Sequence, residues 1–458
     1  MTDAEALLNE KLAHYRERGA TRVKLALTDL DGVHRGKYVS LDKFEGLLRK
    51  GGGFCDCVFG WDVEDRLYDA GRYTGWHTGF PDARFRVITA SERWLDQEGC
   101  PLFLGEFVAD DGSAHPLCPR TRLREVLENL TARGLAMRSG FEYEFFVFHE
   151  TPHSVREKGY RNLLPLTPGN FGYSVLRASS EADRFNGLMD LCESLDLDLE
   201  GLHCETGPGV WEAALRPSDG VESADRANLF KTFSKVFFQR QDCLATFMAK
   251  WSMDYPGQSG HFHVSLTDAS GENQFHDPTD ADGMSQLQKR ALAGLQQFLP
   301  ELLVLLAPTI NSYTRLVKGA WAPTASTWGV ENRTAAVRVI PGGASAQRLE
   351  CRVPGADANP YLVAAAVGAA MLAGIDGEYD PMDPVVGNAY AVEDSLPEGL
   401  RFPGGLSRAA ERFAESGIAR QYLGETFVDH YTMTRLWECR ERARHLDSWQ
   451  LERYFEII

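Results

Sequence analysis

The sequence predicts an α+β protein in two parts, a small β-rich N-terminal domain over residues 1–112 and a larger α+β domain over 113–458. Three observations carry this. Alternating apolar positions and turn signals dominate the first ~110 residues, as short strands require. Helical and extended patterns then alternate to the C-terminus. Between them, Asp110-Asp111-Gly112-Ser113 followed by Pro116 and Pro119 has the turn-forming composition of a linker.

In chain order, residues 21–27 alternate as a strand, Asp29-Leu30-Asp31-Gly32 supplies a turn, and residues 34–39 read as the returning strand of a hairpin. A short helix, the Gly51-Gly52-Gly53 breaker and extended segments near 85–87 and 102–108 complete the first part. Residues 121–133 predict a helix and 141–148 a strand. Further helices are expected over 223–244, 282–298, 359–375, Leu406–Glu415 and the last 30 residues.

Of the 458 residues, 43% are apolar and 25% charged, enough for a sizeable core and against disorder. Lys plus Arg number 48 against 65 Asp plus Glu, a net charge of −17 with no basic arm, which argues against a nucleic-acid partner. The apolar run 361–375 is shorter than the ~20 residues a membrane helix needs, and Gly368 and Gly374 interrupt it. Met1-Thr2-Asp3-Ala4-Glu5 shows no signal-peptide pattern. Nine scattered cysteines, with Cys55 and Cys57 the one close pair, read as reduced thiols of a cytoplasmic protein.

Four constellations carry chemistry. Glu142 and Glu144 stand at i and i+2 among aromatic residues, so a strand projects both carboxylates from one face; burial there calls for a cation, whereas a surface strand would leave them in water. Glu205 and Glu212 flank a Gly-Pro-Gly turn that lets their carboxylates converge. His261 and His263 repeat the i, i+2 spacing. Arg315, Arg333, Arg338 and Arg352, the last beside Glu350, suit an anionic ligand, although each alone also fits a salt bridge. Glutamates with one histidine suit hard divalent cations, and the arginines add polyphosphate or carboxylate. No phosphate-binding P-loop or dinucleotide glycine motif is present.

The order of these motifs resembles the glutamine synthetase superfamily, type I branch. The resemblance runs through Ser259-Gly260-His261-Phe262-His263-Val264-Ser265, Asn311-Ser312-Tyr313-Thr314-Arg315, Asn332-Arg333, Arg348-Leu349-Glu350-Cys351-Arg352 and Ala358-Asn359-Pro360. It implies an N-terminal β-grasp domain, a catalytic domain whose antiparallel strands form a funnel, and two stacked hexameric rings with sites between neighbouring subunits. It implies one cation on Glu144, Glu205 and Glu212 and another on Glu142, His261 and Glu350, with about two to three Mg²⁺ or Mn²⁺ ions per site and ATP as co-substrate. Arg333 and Arg338 match phosphate contacts and Arg315, Arg352 and Gly257 glutamate contacts. Glu200, His263 and Ser265 fall on the nucleotide side. The implied reaction phosphorylates the γ-carboxylate of glutamate, and a nitrogen nucleophile then attacks the acyl phosphate.

Three departures matter. Trp321 stands where glutamine synthetases carry an acidic flap residue. The ammonium-side loop reads Phe54-Cys55-Asp56-Cys57-Val58-Phe59, keeping Asp56 but replacing serines with apolar bulk, and Tyr173 is a further amine-side position. Pro256 stands where an asparagine is expected, leaving one glutamate contact open. The expectation is a γ-glutamyl-amide ligase acting on an organic amine, a monoamine before a polyamine, with Asp56 or Glu205 taking the amine proton. The alternatives are a true glutamine synthetase using ammonium and a non-catalytic assembly protein of the same fold. Tyr390 sits about where some type I enzymes are adenylylated, but Ala391 lacks the acidic context.

Overall fold

The computed structural model describes residues 3–457, with side chains from residue 10 onward. Residues 1 and 2, the start of the segment read as lacking a signal peptide, and Ile458, the end of the last expected helix, lie outside the described residues.

The first sheet comprises β1 (Arg22–Thr28), β2 (His34–Ser40), β3 (Gly52–Cys55), β4 (Asp82–Val87), β5 (Arg93–Leu95) and β6 (Cys100–Val108). Its order is β2-β1-β6-β4-β3 with β5 beside β6. β1 and β2 form the expected hairpin, β1 runs parallel to β6, and Phe44 of the helix Leu41–Lys50 packs 4.8 Å from Phe103, giving the β-grasp arrangement.

One element was not anticipated. Asp3–Glu17 is a helix where the sequence reads as strands and turns; its charged composition hides the buried pair Leu12 and Tyr15, three residues apart on one face.

The second sheet holds β7 (Ala136–Phe148), β8 (Leu199–Cys204), β9 (Val210–Leu215), β10 (Ser218–Asp219), β11 (Leu244–Thr246), β12 (Gly260–Thr267), β13 (Trp328–Val330), β14 (Val337–Ile340) and β15 (Arg348–Cys351). Its order is β13-β14-β15-β12-β7-β9-β8, with β10 and β11 also on β7, antiparallel except for β13 with β14. Phe141, Tyr143 and Phe145 turn one face of β7 to the helix Glu222–Gln239, where Tyr143 and Phe145 meet Phe230.

Two helix boundaries differ from expectation for local reasons. Asp242, in the left-handed region at φ 53°, ends the helix Glu222–Gln239 before β11. The helix Gln286–Leu306 starts late, at the Ser285 cap, and runs through Pro300. Five fully buried side chains at 302–306 outweigh the proline: each contributes ~1.5–3 kcal/mol against a penalty of ~3 kcal/mol. The helical stretch expected over the last 30 residues is split into two helices, Glu425–Ala443 and Ser448–Tyr454.

The two sheets are tied at the β1–β2 turn. Asn359 caps the helix Pro360–Asp376 by accepting from Tyr361 N–H and donates from Nδ2 to the carbonyls of Asp29 and Leu30. Asp31 pairs at 2.8 Å with the buried Arg435 of the C-terminal helix.

Candidate active site

The face of β7 opposite its aromatic side carries Glu142 and Glu144, as alternation requires. Antiparallel register brings the other groups alongside. His261 lies opposite Glu142, Glu212 opposite Glu144, and His203 opposite Glu212. Glu350 lies opposite His263 on one side and Arg338 on the other. Glu205 follows β8, and the return to β9 passes Gly209 at φ 70°, where a Cβ would come within 2.6 Å of the Val147 carbonyl. Only glycine fits there, and that lets the loop fold back toward Glu205.

Glu142, Glu144, Glu205, Glu212, His261, His263, Arg338 and Glu350 line one cavity of about 480 Å³, with His203 just outside its lining. Ligand atoms converge in two groups, each within 4.8 Å: Glu142, His263 and Glu350; and His203, Glu205 and Glu212. The grouping differs from expectation in two places. Glu144 Oε2 accepts from the Ser259 N–H at 2.6 Å, and His203 joins the second group with Nε2 3.5 Å from both Glu205 and Glu212. His263 Nε2 approaches Glu142 at 3.3 Å, while His261 Nδ1 stands 3.4 Å from Glu142 and 3.5 Å from Glu350.

The electrostatics favour cations. Burial, with Glu142, Glu144 and Glu205 close by, pushes the Glu212 carboxyl far above the ordinary range. Burial would raise Glu142 too, but hydrogen bonds from His261 and His263 hold it low. Glu350 is likewise brought down to about 2 against burial by His261, Arg352, His263 and Arg338. His203 Nε2 and His261 Nε2 are buried with no hydrogen-bond partner among the described residues. Converging carboxylates and orphaned imidazole nitrogens are the donor set of a divalent-cation site, and the residues fit Mg²⁺ or Mn²⁺.

The arginines divide by environment. Arg338 Nη1 donates to Glu350 at 3.1 Å, and Arg352 pairs with the same carboxylate. Arg333 is exposed into the cavity. Arg315 is almost wholly buried and its terminal nitrogens donate to the carbonyls of Arg352, Val353 and Pro354 and to Ser259 Oγ. It therefore holds the turn after β15, with only Nε unpartnered. Gly257 lies against it; a Cβ there would meet Arg315 Cγ at 2.6 Å. Pro256 also lines the cavity.

Trp321 and Tyr173 line the cavity, 63% and 71% exposed, each at positive φ. Tyr173 stacks on His203 with ring centroids 4.6 Å apart. Glu200 and Ser265 line instead a second cavity of about 390 Å³, which shares Glu142, His263 and Arg348 with the first. Asp56 lines neither: it is buried beside the first sheet, Oδ1 unpartnered, its carboxyl raised chiefly by burial.

Sequence reasoning overlooked His203 and Arg348. His203-Cys204-Glu205 repeats the i, i+2 spacing used for the other pairs, and Arg348 shares that spacing with Glu350. Arg348 Nε lies 3.3 Å from His263 Nδ1, at the junction of the two cavities.

Comparison with known proteins gives a consistent result. The family described as glutamine synthetase, catalytic domain, matches residues 116–454. A protein named type-1 glutamine synthetase 2 from Dictyostelium discoideum is 45% identical over 441 residues, covering 95% of this chain and 84% of that protein. A glutamate–isopropylamine ligase from Pseudomonas sp is 34% identical over 438 residues, 95% of each chain. A solved structure described as apo GmaS without ligand superposes with a TM-score of 0.84 at 25% identity, covering 97% of this chain and 99% of that one.

Proposed function

This chain belongs to the glutamine synthetase family, ATP-dependent ligases of glutamate, and from that premise we propose that it is a γ-glutamyl-amide ligase joining glutamate to an organic amine. One observation carries the choice of nucleophile: the flap contributes an indole, Trp321, and a methyl, Ala320, to the cavity and no carboxylate. An apolar wall suits the alkyl body of a monoamine. A polyamine would need a second acid outside the cation groups.

In this reading Glu142, Glu144, Glu205, Glu212, His261 and Glu350, with His203 and His263, hold the cations. Those ions, when bound, neutralise charge on the ATP phosphates and polarise the acyl phosphate. Arg333 and Arg338 meet the transferring phosphoryl group, and Arg352 with Gly257 and Arg315 shapes the glutamate pocket. Glu200, His263 and Ser265 face the nucleotide. Arg348, at the junction, is placed to steady the phosphoryl oxygens as they cross. The γ-carboxylate attacks the γ-phosphorus of ATP, releasing ADP. The amine nitrogen then attacks the acyl carbon, releasing phosphate and giving up a proton, for which Glu205 is the candidate acceptor within the chain. Tyr173 and Trp321 shield the acyl phosphate from water.

Asp56 joins this site only as a contribution from a neighbouring subunit, so the reading includes hexameric rings, stacked as a dodecamer. It also includes the division at residues 112 and 113 and a cytoplasmic location. Among the described residues no helix is long and apolar enough to cross a membrane.

A second reading, a true glutamine synthetase, is favoured by the 45% identity to a protein named as one. Phosphate release measured over ammonium, methylamine, isopropylamine, ethanolamine and putrescine separates the two. Higher kcat/KM for an organic amine than for ammonium is the expected result; ammonium exceeding every organic amine overturns the ligase reading.

A further inference from the structure

The segment bearing Trp321 is closed on itself by a single buried carboxylate. Glu393 Oε2 accepts from Thr324 Oγ1 at 2.6 Å and lies 3.6 Å from Lys318 Nζ, so it meets the chain three residues before Trp321 and three residues after. Asp394 adds a second contact to Lys318 at 3.2 Å. Tyr390 donates its hydroxyl to the carbonyl of Ala322, immediately after Trp321, at 3.0 Å. The far stem is tied by backbone bonds from Ser326 N–H to the Leu400 carbonyl and from Phe402 N–H to the Thr324 carbonyl.

Residues 390–402 thus form a brace for residues 318–326. Trp321 occupies the left-handed region at φ 60°, a conformation that costs a bulky residue of order 1 kcal/mol or more and persists only when its surroundings impose it. The tethers on both sides of Trp321 supply that constraint. The tether at Tyr390 has an opposite side as well, because the phenol lies close enough to Arg352 and Arg315 to feel both guanidinium charges.

We propose that Tyr390 and Glu393 are positioning residues that hold the Trp321 loop over the cavity and so set the apolar wall against which the amine is selected. The proposal rests on the amine-ligase reading for its kinetic consequence, but the clasp itself does not. Loss of one net hydrogen bond raises the open population of such a loop about fivefold. Lys318, half exposed on the near stem and paired with Glu393, provides a chemical reporter of that opening, because trypsin must draw the chain around it into an extended form, which the clasp opposes.

The test compares full-length Tyr390→Phe and Glu393→Gln proteins with the parent. Tryptic cleavage after Lys318 is followed alongside the KM for isopropylamine, glutamate and ATP and the thermal midpoint. Cleavage about fivefold faster and an isopropylamine KM raised by a similar factor, with glutamate and ATP unaffected, is expected. Cleavage rate and amine KM both within about twofold of the parent overturn the clasp, being smaller than one hydrogen bond accounts for. A parallel rise in all three KM values with a lowered midpoint also overturns it, because that pattern marks general destabilisation. Should no organic amine prove a substrate, the ligase reading fails while the cleavage rate still decides the clasp.

Discussion

Replacing Trp321 with alanine is expected to reduce kcat/KM for isopropylamine about eightfold and to leave ammonium almost unchanged. The magnitude follows from the freedom of the indole: Trp321 lines the cavity and is 63% exposed overall, so most of its surface is not packed against the protein. An isopropyl group has three carbons, and full enclosure is worth ~0.8 kcal/mol for each, or about 2.4 kcal/mol. One wall covers about half of such a group, leaving about 1.2 kcal/mol, a factor of about eight. Ammonium has no carbon to enclose. The assay is ADP release at saturating glutamate and ATP with either nucleophile varied. Equal losses for the two nucleophiles, or no loss for isopropylamine, would show that the indole does not touch the incoming amine.

Three further outcomes are expected. Glu212→Gln removes a carboxylate that burial and its neighbours oppose in the ionised form, so the metal-free protein should melt higher, while the gain from Mn²⁺, ~2.7 kcal/mol at one hundred times Kd for the parent, should shrink; calorimetry with and without chelator reads both. Arg315→Met takes a donor from three carbonyls and Ser259 Oγ, of which the Pro354 carbonyl keeps the Gly260 N–H, and should destabilise by about 2–4 kcal/mol in urea denaturation, with a loss below ~1 kcal/mol contradicting the structural role given to this side chain. His115 is lowered to about 4 by burial, then by Arg122 and His430, and its Nδ1 accepts the Leu117 N–H. Because the unfolded ring titrates near ~6.5, its contribution is intact above that pH and drains away as pH falls toward 4. Denaturation between pH 7 and 5 should show that slope, flattened in His115→Gln.

A period of two made part of the chemistry legible, although His203 with Glu205 and Arg348 with Glu350 carry the same spacing and were passed over. Glu142 with Glu144 and His261 with His263 announce a strand face, and antiparallel pairing did the rest by setting His261 opposite Glu142. The helix Leu406–Glu415 was read with its observed ends because its apolar stripe is regular. Where one side chain's partner lies far along the chain, the sequence is silent. Nothing near Glu144 foretells that the Ser259 N–H will hold one of its oxygens, or that His203 will stand beside Glu205 and Glu212. The fate of Arg315 is similar: its spacing suggests a ligand contact, but three carbonyls from a turn more than thirty residues away occupy its terminal nitrogens. The helix Asp3–Glu17 escaped notice because few apolar residues mark its buried side.

The two cavities adjoin at Glu142, His263 and Arg348, so the residues read as nucleotide-side and those read as amine-side line separate spaces. Under the proposed reading, ADP can stay on its own side while the amine reaches the activated acid from the other, and the amine never has to pass the spent nucleotide. Traffic of that kind produces intersecting rather than parallel double-reciprocal plots when ATP and amine are varied together, since no product need clear the corridor before the last reactant arrives.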